Sequence, residues 1–117
     1  MSEREVVLAL TTVPTAEVGQ SLGRSLVEER LAACVNILPP MTSVYWWNGE
    51  LQQDVEHLLI VKTARDRVEA LQERIWQLHP YDLPEFIVVS VADGSARYLA
   101  WVLEGARGAA GGPTGAV

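Results

Sequence analysis

Short apolar runs alternate with two amphipathic stretches along the first hundred residues, and this order predicts the secondary structure. The run Val6–Leu10 is rich in β-branched residues and predicts a buried strand. Thr15 can then cap a helix that continues to about Arg30, because apolar residues recur every four positions along one face. A second helix is predicted from Asp66 to Leu78, where the apolar spacing is three, four and three residues.

The middle of the chain predicts strands that are joined by a tight turn. A strand over Ala32–Leu38 is expected to end at Pro39-Pro40, because proline cannot donate a hydrogen bond to a neighbouring strand. The aromatic run Ser43–Trp47 then leads into Asn48-Gly49, which favours a two-residue type I′ turn with positive φ at both positions. A further apolar strand is expected over His57–Thr63.

The C-terminal part of the chain predicts one more strand, a short helix and a tail. Phe86–Val91 is the last predicted core strand, and Ser95 can cap a helix that ends near Leu103. Beyond it, glycine and alanine leave nothing to bury. We therefore expect a single domain over residues 1–104 and a disordered, glycine-rich tail over residues 105–117.

The predicted order is βαββαβ followed by a C-terminal helix. Right-handed crossovers place both long helices on the same face of one sheet. The expected fold class is therefore α+β, a ferredoxin-like split βαβ sandwich. A doubly wound parallel sheet is the alternative, but it needs helices on both faces and a crossover where this sequence has an Asn-Gly hairpin.

The strand pattern also predicts an oligomer. One face of a two-layer fold has no helices, and its strands should alternate apolar and polar residues if that face met water. Instead Val6, Leu8 and Leu10 alternate with the equally apolar Val7 and Ala9, and the hairpin carries aromatic residues on both sides. Soluble monomers rarely expose so much apolar surface, so we expect a closed homo-oligomer.

Composition and charge exclude several classes of function. The chain has 117 residues, of which 49% are hydrophobic, but no apolar run is long enough to span a bilayer. Its formal net charge is −6 with nine scattered Lys and Arg residues, which argues against nucleic acid as a partner. The charged N-terminus lacks a signal-peptide pattern, and the single cysteine fits a reducing compartment. We expect a cytoplasmic protein that does not associate with membranes.

The loop over residues 79–85, His-Pro-Tyr-Asp-Leu-Pro-Glu, concentrates the candidate chemistry between a helix and a strand. His79 is the candidate metal ligand, with Asp82 and Glu85 close in sequence, although a single imidazole makes a weak site. The alternative role for His79 is structural. In that role its ring binds helix-end carbonyls and fixes the Pro80-Tyr81 turn.

Other reactive side chains give weaker indications. Cys34 lies in an apolar strand and is expected to be a packed, inert thiol, and nothing marks His57 as functional. Two distant histidines and one cysteine do not form a set of nucleophile, base and orienting group, and no glycine-rich phosphate loop precedes a helix. We therefore expect no enzymatic activity.

Several motifs occur together and in order between about residues 5 and 103. They are Thr12-Val13-Pro14, Leu31–Ile37, Tyr45–Gly49, Lys62-Thr63, His79-Pro80-Tyr81 with Pro84-Glu85, and Tyr98–Trp101. With these motifs the chain resembles the CutA family of divalent-cation tolerance proteins. The resemblance implies a ferredoxin-like subunit, a compact homotrimer, a cytoplasmic location in bacteria, and binding of copper and other divalent cations.

The resemblance also identifies candidate ligands for the cation. Ligands proposed for some family members are a cysteine at the end of the first strand and two adjacent histidines before Pro-Tyr. Those places hold Thr11, Leu78 and His79 in this sequence, so two of the three ligands are missing. The implied metal is therefore a weakly bound Cu²⁺ or another divalent cation, with His79 as its ligand.

The alternative function is a PII-like small-molecule sensor or a protein-assembly module. In that interpretation clefts between subunits bind a small anionic ligand or a partner protein. The clefts would be lined by Tyr45, Trp47, Tyr81 and Lys62, because aromatic walls with one cation suit an anionic metabolite. The plainer explanation is that these aromatic residues form the core of the trimer.

Overall fold

Four antiparallel strands and three α-helices make up the computed structural model, which describes residues 4–107. In chain order the elements are β1 (Val6–Val13), α1 (Ala16–Glu28), β2 (Cys34–Trp47), β3 (Glu50–Ala64), a 3-10 helix (Arg65–Arg67), α2 (Val68–Leu78), β4 (Ile87–Ser90) and α3 (Ala96–Gly105). The strands form one sheet in the order β2-β3-β1-β4. The predicted ferredoxin-like α+β fold is confirmed.

Local sequence signals set the start of two helices and the turn of the hairpin. Thr15 and Ser95 each accept a hydrogen bond from the backbone N–H three residues later, so they are the N-caps of α1 and α3. Asn48 and Gly49 have φ angles of 52° and 77°, as a type I′ turn requires. These features lie where the sequence predicted them.

Pro39 and Pro40 do not end a strand, contrary to the prediction. β2 continues through both prolines, with one register shift against β3 between Ile37 and Pro40. Because β2 is at the edge of the sheet, a proline there needs no N–H for a second neighbour, and a bulge absorbs the irregularity. β3 likewise starts at the turn rather than at His57. The two strands therefore form one long hairpin.

Helices α1 and α2 cover one face of the sheet and form the core with it. The buried residues of this core are Ala9, Val13, Leu22, Leu26, Leu31, Ala32, Leu59, Val61, Leu71 and Ile75. The four-residue periodicity of α1 and the three-four-three spacing of α2 supply the helical part of this set. No helix within residues 4–107 is long and apolar enough to cross a membrane.

The second face of the sheet is only partly covered. Lys62 alternates with the buried Val61, and its Nζ donates a hydrogen bond of 3.2 Å to the Tyr98 hydroxyl, so α3 lies on this side. Apolar side chains of the face that are half-buried or exposed are Leu8, Leu10, Leu58, Ile60, Ile87 and Val89. The sheet is therefore apolar on both faces, as the strand pattern predicted.

The first two residues of the predicted tail belong to the folded domain. α3 continues through Gly105, and Ala106 is fully buried. A Cβ added at Gly105 would lie 2.8 Å from the Cβ of Ala33, so only glycine permits this close contact. The disorder of the tail stays a prediction, since residues 108–117 lie outside the described residues.

The distal half of the β2–β3 hairpin projects from the helical layer. Residues 4–107 extend 47 Å along their longest axis and 27 and 24 Å along the others. Their radius of gyration is 15.0 Å, whereas a compact domain of this length has about 13 Å. The projection leaves both faces of the hairpin free for contacts beyond the core.

Candidate functional site

His79 ties the end of α2 to β1. The helix ends at Leu78, and His79 itself is extended (φ −80°, ψ 140°), as expected for a residue before Pro80. The residue is 8% exposed. Its Nε2 lies 2.7 Å from the carbonyl oxygen of Thr12, and its Nδ1 lies 3.1 Å from the backbone nitrogen of Tyr81.

These two contacts determine the tautomer of His79. A carbonyl oxygen can only accept and a backbone N–H can only donate, so Nε2 carries the proton and Nδ1 accepts from Tyr81. The ring therefore fixes the Pro80-Tyr81 turn, as the structural interpretation predicted. Its other hydrogen bond goes to the Thr12 carbonyl of β1 and not to a carbonyl at the end of α2. Nδ1 has the lone pair that a metal needs, and the Tyr81 N–H occupies it. Metal ligation by His79 stays a prediction.

A cleft of about 780 Å³ opens between this turn and the hairpin. One wall is the loop from Pro80 to Glu85, except for the buried Pro84. The other wall is the hairpin face that carries Tyr45 and Trp47. Glu56 and Leu58 line the cleft from β3, on the sheet face that α1 and α2 do not cover. Thr12 of β1 also lines the cleft, which is therefore built from three separate segments of the chain: β1, the hairpin and the loop.

Two phenol–carboxylate pairs belong to this region. Tyr81 donates a hydrogen bond of 2.8 Å to Oε2 of Glu56, and Tyr45 donates one to Asp54. Burial, together with the hydrogen bond to Glu56, raises the pKa of Tyr81. The hydrogen bond to Asp54, with a contribution from burial, raises the pKa of Tyr45. Both phenols are therefore protonated donors at neutral pH.

The cleft carries negative charge that the described chain does not neutralise. Glu56 is only 8% exposed, and it forms no ion pair with any Lys, Arg or His in residues 4–107. Burial and the nearby Glu56 raise the pKa of Glu85, which lines the same cleft with the exposed Asp82. None of the described residues that line the cleft is Lys or Arg. The electrostatic environment favours a cation.

The structure brings together three of the four residues that the sequence assigned to a ligand cleft. Tyr45, Trp47 and Tyr81 line this cleft within one subunit, whereas the sequence analysis placed them in clefts between subunits, which stay a prediction. Lys62 does not line it. Instead, its Nζ lies 5.5 Å from the centre of the Tyr98 ring and is hydrogen-bonded to that hydroxyl. Without Lys62, an acidic lining disfavours the anionic ligand.

The other candidate residues lie outside the cleft. Cys34 is half-buried on the edge strand, and His57 Nδ1 lies 2.8 Å from the carbonyl oxygen of Leu38. Thr11 is fully buried, and Leu78 is exposed at the end of α2. Within residues 4–107, no three His, Cys, Asp or Glu side chains are grouped so that they could hold a metal ion.

Sequence reasoning missed Glu56 and Asp54. The hairpin register places both of them opposite cleft-side residues of β2. Counting outward from the Asn48-Gly49 turn gives this register, so the sequence did contain a signal for them. The approach of Tyr81 to Glu56 had no such signal, because the loop comes from a different part of the chain.

Known proteins share both the sequence and the fold of this chain. The sequence profile of the CutA1 divalent ion tolerance protein matches residues 7–105. A divalent-cation tolerance protein CutA from Thermus thermophilus is 48% identical over 97 residues, which cover 83% of this chain and 94% of that protein. The chloroplastic protein CutA 1 of Oryza sativa is 44% identical over 86% of this chain, which spans 57% of that longer relative. The crystal structure of CutA1 from Oryza sativa superimposes with a TM-score of 0.86 at 42% identity, covering 91% of this chain and 98% of that one.

Proposed function

Because the chain belongs to the CutA1 divalent ion tolerance family, we propose that it is a divalent-cation tolerance protein that binds Cu²⁺ or another divalent cation weakly and acts as a homotrimer. The observation that carries this proposal is the profile match over residues 7–105, nearly all of the described structure. The matching family profile and the Thermus thermophilus relative are named as tolerance proteins and not as enzymes, which supports a non-enzymatic role. A cytoplasmic location is part of the proposal, since one cysteine fits a reducing compartment.

His79 is the proposed ligand of the cation, through Nδ1. Ligation requires Nδ1 to release the Tyr81 N–H, whereas Nε2 keeps its hydrogen bond to the Thr12 carbonyl. A backbone carbonyl on the second nitrogen is a common arrangement for metal-binding histidines, because it fixes the tautomer and the ring orientation. Competition with the Tyr81 N–H makes the site weak. The exposed Asp82 is the nearest carboxylate in sequence that can add an oxygen ligand.

The homotrimer is supported by apolar surface that the subunit leaves uncovered. Val44, Trp46, Leu51 and Val55 share one side of the distal hairpin, and each is at least 60% exposed; we call them the hairpin patch. The half-buried and exposed apolar side chains of the second sheet face form a separate uncovered surface on the opposite side of the sheet from the hairpin patch. Apolar patches of this kind mark protein interfaces.

A calorimetric titration with Cu²⁺ tests the metal site. We expect weak binding by the wild type and at least tenfold weaker binding by His79→Ala. His57→Ala is the matched control, because it removes the other imidazole of the chain, and it should bind like the wild type. Unchanged Cu²⁺ binding in His79→Ala would exclude His79 as the ligand.

Light scattering at low micromolar concentration tests the assembly. The homotrimer predicts a species of three times the 12.8 kDa chain mass. A species of 12.8 kDa would contradict it.

A further inference from the structure

Glu56 is a buried charge next to an open cleft. Its Oε2 accepts a hydrogen bond from the neutral Tyr81 hydroxyl, and within residues 4–107 no basic side chain pairs with it. Burying a carboxylate is unfavourable unless a cation or several hydrogen bonds replace its lost hydration. Because Glu56 also lines the cleft, a cation that enters from outside the described chain can reach this carboxylate.

The walls of the cleft indicate the kind of cation. Tyr45 and Trp47 are partly exposed and stand on the hairpin wall, and Tyr81 stands on the loop wall. Aromatic rings attract ammonium and guanidinium groups through their negative faces, and they also pack against carbon stems. The volume of about 780 Å³ lies in the range of small-molecule sites. Both features suit an organic cation.

A metal ion bound by the carboxylates alone fits this cleft less well. Glu56, Asp82 and Glu85 all line it, but they do not form a group of three that could hold a metal. A metal needs several donors converging at about 2 Å, whereas carboxylates that are spread along a cleft suit a larger cation with several N–H donors.

A basic side chain from a second copy is the other source of the same chemistry. Within residues 4–107, most of the basic residues already have partners in their own chain. These are Arg4, Lys62, Arg65, Arg67, Arg74 and Arg107. Arg24, Arg30 and Arg97 form no ion pair within residues 4–107, so a second copy does have basic side chains for this role. The aromatic walls and the volume of the cleft are what favour a small molecule as the occupant.

We propose that the cleft binds a small organic cation with a primary ammonium or guanidinium group, which pairs with Glu56 while its carbon stem packs against Tyr45 and Trp47. Asp82 and Glu85 add negative charge to the same cleft. This inference does not rest on metal binding, because the pairing group is Glu56 and not His79.

Calorimetry on the full-length oligomer tests the proposal, with 1,4-diaminobutane and n-butylguanidinium as probes. We expect one site per subunit, and at least tenfold weaker binding to Glu56→Gln. This variant should fold, because the glutamine oxygen still accepts from the Tyr81 hydroxyl. Glu69→Gln removes an equal charge from the exposed face of α2 and should bind like the wild type. Trp47→Leu should weaken binding severalfold, and n-butyrate, a size-matched anion, should not bind.

Three results would overturn the proposal. They are no binding of either cation to the wild type, equal binding to Glu56→Gln, and a crystal structure in which a Lys or Arg of a second copy pairs with Glu56. A Cu²⁺ titration of the same variants keeps the two proposals apart. Glu56→Gln should lose the organic cation and retain Cu²⁺, because Glu56 is not a ligand in the proposed metal site.

Discussion

The two faces of the β2–β3 hairpin are made from alternate residues of the same strands, yet they present opposite surfaces. One face is the hairpin patch, which is apolar and bare, with Trp46 71% exposed. The other face carries Tyr45, Trp47 and Glu56, and it forms a cleft with the loop after α2. Because side chains alternate along a strand, a single hairpin can present an assembly surface on one side and a ligand site on the other.

The largest expected effect comes from charging the hairpin patch. Trp46→Glu places a carboxylate where the proposed homotrimer buries an indole, so the oligomer should dissociate to 12.8 kDa in light scattering. Gln20→Glu adds the same charge to the exposed side of α1 and should leave the mass unchanged. If Trp46→Glu keeps the wild-type mass, the hairpin patch is not an assembly surface and the contrast between the two faces fails.

The next effect concerns the loop wall of the cleft. His79→Ala removes two hydrogen bonds of a buried ring and leaves the Thr12 carbonyl without that donor, so we expect a loss of about 3 kcal/mol in unfolding free energy. His57→Ala removes one hydrogen bond of a half-buried ring and should cost about 1 kcal/mol. Urea unfolding at one fixed protein concentration measures both. Equal losses of unfolding free energy in the two variants would mean that the His79 hydrogen bonds stabilise the loop no more than the His57 hydrogen bond stabilises its own contact.

A smaller effect is expected for the hydrogen bond between Tyr81 on the loop and Glu56 on β3. Tyr81→Phe removes the donor to Glu56 and should cost about 1.5 kcal/mol, since hydrogen bonds to charged groups are stronger than neutral ones. In a Glu56→Gln background the same change should cost less. The unfolding free energies of the wild type, Tyr81→Phe, Glu56→Gln and the double variant, measured by urea denaturation, give the coupling energy between the two side chains. Additive losses would show that the two side chains act independently.

The smallest effect depends on pH. The folded pKa of Glu85 is raised by burial and by Glu56, so the folded state holds this proton to higher pH than the unfolded chain does. Ionisation of Glu85 therefore lowers stability as the pH rises through the raised pKa. Glu85→Gln should melt above the wild type at pH 7, and the difference should vanish below about pH 4, where both chains are neutral at this position. A difference that grows towards acid pH would contradict this assignment.

The elements of the fold were predictable wherever a local signal sets them. The Thr15 cap and the Asn48-Gly49 turn depend on neighbouring residues only, and both lie where the sequence placed them. Pro39-Pro40 was misread, because a proline interrupts a central strand but is tolerated at an edge. Whether a strand lies at the edge depends on the order of all the strands, and no local pattern contains that order.

The candidate site was predictable as a set of residues but not as a geometry. The loop over residues 79–85 and the aromatic hairpin were both recognised, and most of the loop lines one cleft with one face of the hairpin, although His79 itself does not. Lys62 was assigned to the same cleft on its residue type alone. The sheet alternation puts it beside Tyr98 instead. The importance of Glu56 follows from its burial and from its lack of a basic partner, which only the folded chain reveals.

The sequence by itself determined the α+β class, the helix caps, the hairpin turn, the two-sided apolar sheet and the family. These depend on periodicity and on backbone preferences that act over a few residues. Only the tertiary structure decided that His79 binds a carbonyl 67 residues away and that Tyr81 reaches a carboxylate 25 residues away. Such pairs form when the packing of α2 against the sheet brings distant segments into contact, and burial then determines which charges lack a partner.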